Sequence, residues 1–431
     1  MLSRYLNFSK PERILEAVLK TSLINLFARG FGYLKNLSIA ILLGFSHQTD
    51  GFFMAFSLMG IFLIFVDVFD SIGVPNLVVA GQQSKEEFEK LAGLLLTFTT
   101  ILASLLTLLA FLSLPLLLKV PLGFEKVAIE YTKTSFVLLL PYLFFSFFFH
   151  HFGAVLRSQR LFTVYFVGEL LFSFFSFLFI TVGLYLYRDF RVIPISVSVA
   201  QLFATLYMLY MGRQYIRFNL FLDDKAKLML KHFLYLVALY GVFHIFIVVD
   251  GAFGSTLGEK GVSALTYGLM LAYAPTGVLK FEHMAITSLS EVRGSMERLN
   301  FYLKRLFLLG ITFGLFVFVF ADLLVKVFFG HGAFTHTDVS LTATATRYYA
   351  LSLPLALLWP VLYRVFQIRN NLLPVFFLAI VVVIVKGVIN YLLVMLMHLG
   401  IVGVCLGTFF AYLMLCALGY IILKKMYYNH A

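Results

Sequence analysis

The sequence predicts an all-α protein that crosses a membrane about twelve times, and three observations carry that prediction. The 431 residues are 61% hydrophobic, 17% aromatic and only 13% charged, with a mean hydropathy of +0.96, whereas soluble domains run near 25% charged. Apolar runs of 20 or more residues recur from residue 14 to residue 423, each long enough for a helix to span the hydrocarbon core. The runs are solidly apolar, while barrel strands alternate apolar and polar over about ten residues, so a membrane β-barrel is excluded.

In order along the chain the expected spans are 14 to 43, 50 to 80, 90 to 118, 127 to 155, 162 to 187, 192 to 212, 230 to 252, 261 to 288, 303 to 328, 342 to 366, 372 to 397 and 400 to 423. The opening MLSRYLNFSKPERILEAVLK lacks a short apolar core followed by a small-residue cleavage site, so the first span is read as a retained helix and not a signal peptide. Twelve spans put both termini on one side. If that side is the cytoplasm, nineteen of the 33 lysines and arginines fall in inner loops and tails. Only Lys119, Lys126, Arg188, Arg191 and Lys260 fall outside. This positive-inside bias makes both termini cytoplasmic. The net charge of +12 is then topology signal facing anionic lipid headgroups, and no nucleic-acid partner is needed to explain it.

The stretch LLLPYLFFSFFFHHFGAVLRSQR (138 to 160) is similar to LSLPLALLWPVLYRVFQIRN (351 to 370), with Pro141 and Pro354 almost half a chain apart. The repeat divides the chain into a six-helix lobe over 1–212, a cytoplasmic linker over 213–231 and a second six-helix lobe over 232–431. Because each half holds an even number of spans, the halves share one orientation, the arrangement of transporters that rock about a central cavity. Cys405 and Cys416 lie eleven residues apart in one span, roughly 16 Å along a helix and beyond disulfide reach.

Ionisable residues at membrane depth are costly and face a cavity or one another. The first half places Arg29, Lys35, Asp50, Asp67, Asp70, Lys133, His150, His151 and Glu169 there. The second places His244, Asp250, Lys280, Glu282, His283, Asp322, Lys326, Arg347, Arg364 and Lys386. Snorkelling accounts for Lys326, Arg364 and His150 near span ends. Arg29 differs, because ARGFG sets a guanidinium beside two glycines in mid-span, where a helix can bend and expose backbone. A guanidinium grips a diphosphate through two parallel hydrogen bonds, and Lys35 lies about 120° further round the helix, able to line a second wall of one cavity. The competing reading pairs Arg29 and Lys35 with Asp67 or Asp70. Asp50 either caps the start of its own helix or belongs to an outer gate. There is no GxxxxGK[ST], HExxH, CxxC or GxSxG, and adjacent His150 and His151 point about 100° apart. Neither an enzyme, a nucleotide, a cofactor nor a metal is expected.

Four stretches resemble the MurJ/MviN lipid flippases of the multidrug/oligosaccharidyl-lipid/polysaccharide exporter superfamily: LFARGFGYLKNLSIAILLGFSHQTDGFFMAF (26 to 56), VVDGAFGSTLGEKGVSALTYGLMLAYAPTGV (248 to 278), FFGHGAFTHTDVSLTATATRYYALSLP (328 to 354) and INYLLVMLMHLGIVGVCLGT (389 to 408). The resemblance implies a monomeric flippase of the bacterial inner membrane, serving peptidoglycan and cell-wall synthesis. Its substrate would be a polyprenyl-diphosphate-linked saccharide, lipid II, moved from inner to outer leaflet by alternating access. Arg29, Lys35 and Asp50 match the family's substrate-binding positions. The family's second-helix arginine pair falls on SLMGIFLIF and its eighth-helix arginine on Met270, leaving Lys280, about 80° round that helix, as a further binding residue. The family's cation site falls on Asp250, Lys386, Asn390 and Thr408. Since Lys386 brings its own ammonium, the expectation is an internal ion pair with Asp250 and no bound sodium. The alternative is a multidrug exporter of the related class that exchanges a small molecule for H+ or Na+.

Overall fold

The computed structural model describes residues 14–220, 233, 237, 241, 244–278, 295–369 and 371–428, and among them the secondary structure is helical throughout. We number the principal helices α1 Ile14–Leu43, α2 His47–Gln83, α3 Lys85–Leu117, α4 Lys126–Ser158, α5 Phe162–Tyr187, α6 Val192–Met211, α7 His244–Leu257, α8 Gly261–Ala272, α9 Met296–Phe329, α10 His336–Ala350, α11 Leu353–Ile368, α12 Leu373–Asn390 and α13 Gly400–Tyr428. Among the described residues nine helices are long and apolar enough to cross a bilayer, or ten if α10 and α11, bent by 47° at their junction, form one broken span. The expected spans 230 to 252 and 261 to 288 appear as the shorter α7 and α8, and their remaining parts lie largely outside the described residues. The protein is a multi-pass helical membrane protein.

Helix ends follow the local chemistry. Ser84 caps α3 by accepting from the Glu87 N–H at 3.0 Å, with Glu86 and Glu87 stabilising the positive end of the dipole. Thr335 and Asp338 form a reciprocal capping box at α10. After α1 the chain turns at Gly44 with φ +69°, where a Cβ would lie 2.7 Å from the Ala333 carbonyl oxygen, so only glycine suits the turn.

Two compact units emerge, and they cut across sequence order. The first comprises Met1–Leu43, Leu58–Lys119 and Glu130–Tyr240; the second comprises Gly44–Ser57, Val120–Ile129 and Gly241–Ala431. In the first, α1 packs on α5 through Phe31 against Phe174 and Phe177 at ring separations of 5.2 and 5.7 Å, and the Thr181 hydroxyl donates to Ser38 Oγ at 2.7 Å. In the second, α9 buries Gly310, Gly314, Val317, Ala321 and Val325 and leaves Leu308, Leu315, Phe316, Val319 and Leu323 exposed. A Cβ on Gly310 would meet Pro354 of α11, and one on Gly314 the Ala350 carbonyl, which is how small residues bring membrane helices together while large apolar ones face lipid. Cys405 and Cys416 are both buried free thiols.

Candidate functional site

The second unit carries a polar centre in an otherwise apolar core. Asp250 stands on α7, Tyr349 on α10, Lys386 and Asn390 one turn apart on α12, and Thr408 on α13, all of them buried. Lys386 Nζ lies 2.6 Å from Asp250 Oδ1, and Asn390 Nδ2 donates to the same oxygen at 3.4 Å. Asp250 Oδ2 accepts from the Thr408 hydroxyl at 2.8 Å and from the Tyr349 hydroxyl at 3.0 Å. The ammonium also donates to Thr408 Oγ1, and its remaining side faces the Phe246 ring 4.9 Å from the centroid. Four donors therefore meet the carboxylate, matching its acceptor capacity. Each charge is neutralised within the protein, the condition under which a buried pair is tolerated. Gly407 admits Asn390 at this point, because a Cβ there would overlap Asn390 Oδ1. Immediately after Asn390 the helix widens into a π turn over Tyr391–Leu396, an irregularity often found beside functional groups.

Sequence reading brings Asp250, Lys386, Asn390 and Thr408 together and misses Tyr349 and Phe246. A tyrosine in mid-span requires a partner for its hydroxyl, and that signal marks Tyr349 in the segment TATATRYYALSLP. It does not say which acceptor is in reach.

Asp50 forms a second node in the same unit. The helix it stands on starts at His47, so Asp50 lies past the capping position of α2 and its carboxylate serves α8 instead, which corrects the expectation of a cap on its own helix. Asp50 Oδ2 accepts from the Lys260 N–H at 2.6 Å, and Oδ1 accepts from the Ser263 N–H at 2.8 Å and the Ser263 hydroxyl at 2.6 Å. Lys260, at φ +78°, turns its side chain to Asp338 Oδ1 at 2.9 Å. The first turns of α2, α8 and α10 are thereby tied by two carboxylates and one ammonium. Because both Asp50 oxygens accept from donors, an amide satisfies only one of them. Asp50→Asn is expected to lose about 1–3 kcal/mol, read as a lower thermal unfolding temperature, and Asp50→Ala to lose more. Equal stability of Asp50→Asn and wild type would refute the cap.

In the first unit α1 runs as continuous helix through Ala28–Gly32. The two glycines leave open space: a Cβ at Gly30 or Gly32 would meet nothing within 4 Å. Arg29 is exposed and Lys35 half-buried, and no described side chain forms an ion pair with either. At 100° per residue Arg29 lies about 160° round the helix from Phe31, opposite the face packed on α5, while Lys35 lies about 40° from it. The side chains of Asp67 and Asp70, and Lys280 with Glu282 and His283, lie outside the described residues. Asp322 pairs with Arg347. No group of three or more His, Cys, Asp or Glu side chains with metal-binding geometry occurs among the described residues.

Comparison with known proteins gives three findings. The family model described as lipid II flippase MurJ matches residues 39–430. The probable lipid II flippase MurJ of Aquifex aeolicus (strain VF5) is 25% identical over 367 residues, covering 83% of this chain and 73% of the relative. That of Buchnera aphidicola subsp. Baizongia pistaciae is 24% identical over 382 residues, covering 83% and 74%. Among solved structures, a lipid II flippase MurJ in an inward closed conformation matches with a TM-score of 0.77 at 21% identity, covering 94% of this chain and 87% of that one. An outward-facing multidrug resistance MATE family transporter matches with a TM-score of 0.68 at 16% identity, covering 95% of each. At these identities the structural matches establish the fold alone.

Proposed function

We propose that this chain, which belongs to the MurJ family of lipid II flippases, moves lipid II from the inner to the outer leaflet of the bacterial cytoplasmic membrane. The observation that carries the reading is the match of the family model over residues 39–430, which leaves no half of the chain outside it. The protein is a transporter and not an enzyme. Its substrate is an amphiphile with a diphosphate between lipid and saccharide, so binding calls for cations at membrane depth. Arg29 and Lys35 suit that task, Arg29 on the exposed side of α1 beside open space at Gly30 and Gly32 and able to grip two phosphate oxygens at once. Lys280 is a third binding residue in this reading. The protein works as a monomer with both termini in the cytoplasm, alternating access between its two lobes. Export of an anion from an inside-negative cell gains about 2.3 kcal/mol per charge per 100 mV, enough to bias the cycle.

Depletion in cells tests the proposal: lipid-linked precursor is expected to accumulate on the inner leaflet, and mass spectrometry of copurified lipid to find a polyprenyl diphosphate saccharide. The fold match to a multidrug transporter favours a second reading, an exporter exchanging a drug cation for H+ or Na+. Two cations on α1 repel such a cargo. Altered drug tolerance with normal precursor export would establish it and overturn the flippase.

In the same reading the Asp250 centre uses the protein's own ammonium where the family resemblance implies a bound cation. Sodium is therefore expected to leave the thermal stability of the wild-type protein unchanged relative to potassium at equal ionic strength. Lys386→Asn is expected to gain sodium-dependent stabilisation. A sodium-dependent shift in the wild type would refute the internal cation.

A further inference from the structure

The end of α9 remote from Arg298, Lys304 and Arg305 carries charge on a face otherwise built for lipid. The run 306–321 holds no ionisable residue and is about 24 Å long as a helix, less than the roughly 30 Å of hydrocarbon a span crosses. Asp322, the next residue, therefore stands at the edge of the hydrocarbon. Ile311, Leu315 and Val319 lie within about 60° of it round the helix and all three are exposed, which makes this a lipid-facing stripe and not the wall of a polar cavity. The Asp322 side chain is 66% exposed on it, and Arg347 of α10, 30% exposed, pairs with the carboxylate. The Arg347 Nε also donates to the Phe318 carbonyl at 3.3 Å, and its guanidinium lies 6.0 Å from the centroid of the Phe318 ring. Phe318 is one turn nearer the membrane centre than Asp322. The cation therefore extends deeper than the anion.

We propose that the Asp322–Arg347 pair is a binding site for a phospholipid whose headgroup joins a phosphate to a primary ammonium, the chemistry of phosphatidylethanolamine. Charges that face lipid are costly unless compensated, and this pair compensates each of its members only in part. Among the described residues Arg347 uses two of its five N–H donors and Asp322 one of its two oxygens. In a phospholipid the phosphate lies nearer the hydrocarbon and the ammonium further out. That order complements a deep guanidinium and a shallower carboxylate. A lipid seated on the stripe lets its phosphate accept from Arg347, lets its ammonium donate to Asp322 Oδ1, and lays an acyl chain over Val319, Leu315 and Ile311. Lys326, exposed one turn further out, adds a second cation, so the competing occupant is an anionic lipid; such a lipid has no cation to place on Asp322. The headgroup bridges α9 and α10 at the membrane surface, and the site requires no lipid II.

Three lipids of equal acyl chains test the site. The purified, delipidated protein in detergent is titrated with phosphatidylethanolamine, phosphatidylcholine or phosphatidylglycerol, and bound lipid is read by native mass spectrometry. Phosphatidylcholine keeps the zwitterion, but its quaternary nitrogen has no N–H to give Asp322. Wild type is expected to retain phosphatidylethanolamine better than phosphatidylcholine by a factor of about five, the worth of one ordinary hydrogen bond. Asp322→Asn should abolish that preference, and Arg347→Gln should weaken retention of both lipids. The exchange Asp322→Arg with Arg347→Asp rebuilds an ion pair in the reverse order, which keeps the test valid if a single variant misfolds, and it too should lose the preference. Equal retention of the two zwitterionic lipids by wild type would overturn the proposal, as would a preference that survives in Asp322→Asn or in the exchanged variant, unchanged retention in Arg347→Gln, or stronger retention of phosphatidylglycerol than of phosphatidylethanolamine. No arm measures transport, so failure here would leave the flippase reading standing.

Discussion

Asp250→Ala is expected to destabilise the protein by about 3–5 kcal/mol, because removing one partner of a buried pair leaves an uncompensated charge. The substitution also strands the hydroxyls of Thr408 and Tyr349 and the amide of Asn390, all of which now donate to this carboxylate. Lys386→Met is expected to cost less, since the aspartate keeps three neutral donors. The double variant Asp250→Asn with Lys386→Met should be more stable than Asp250→Asn alone, since no charge remains to be compensated. Membrane proteins commonly unfold irreversibly, so the measurement is the fraction remaining monodisperse after heating at a series of temperatures. Strictly additive losses for the two single substitutions would refute the pairing as an energetic unit.

The second large effect falls on transport and not on stability. Arg29→Ala is expected to abolish lipid II flipping, at least thirtyfold in rate, because truncating one partner of a desolvated charge contact costs about 2–5 kcal/mol. Arg29 is exposed and forms no ion pair with a described side chain, so expression and elution profile should be unchanged. Arg29→Lys should recover part of the rate, since an ammonium keeps the charge and loses the two-point grip. Lys35→Ala should fall between them. Full transport by Arg29→Ala would remove this residue from the substrate site.

Much of the fold is legible in the sequence because the bilayer makes helix formation a local matter: with no water in the hydrocarbon, each span must satisfy its own backbone, and apolar length alone marks it. Spans 14 to 43 and 162 to 187 coincide with α1 and α5 for that reason. The extension of α2 back to His47 is less legible, because HQTD carries little hydropathy and helix there depends on what the polar side chains find to bond. The grouping of Gly44–Ser57 with the second unit is equally hidden, since it cuts a single helix between two bodies.

The sequence by itself determined that this is a multi-pass helical membrane protein of the lipid II flippase family, and that a lysine stands where the family resemblance implies a cation site. Only the tertiary structure decided which further groups meet. Tyr349 reaches Asp250 from 99 positions away, and Asp50 reaches a helix start 213 positions away. In a membrane, hydrophobicity sets where a helix lies but is nearly indifferent to which helix it touches, since lipid and neighbouring helix are equally apolar. Partner choice therefore rests on a few polar contacts and on the close approach allowed at Gly310, Gly314 and Gly407, and these become visible only when the chain is folded.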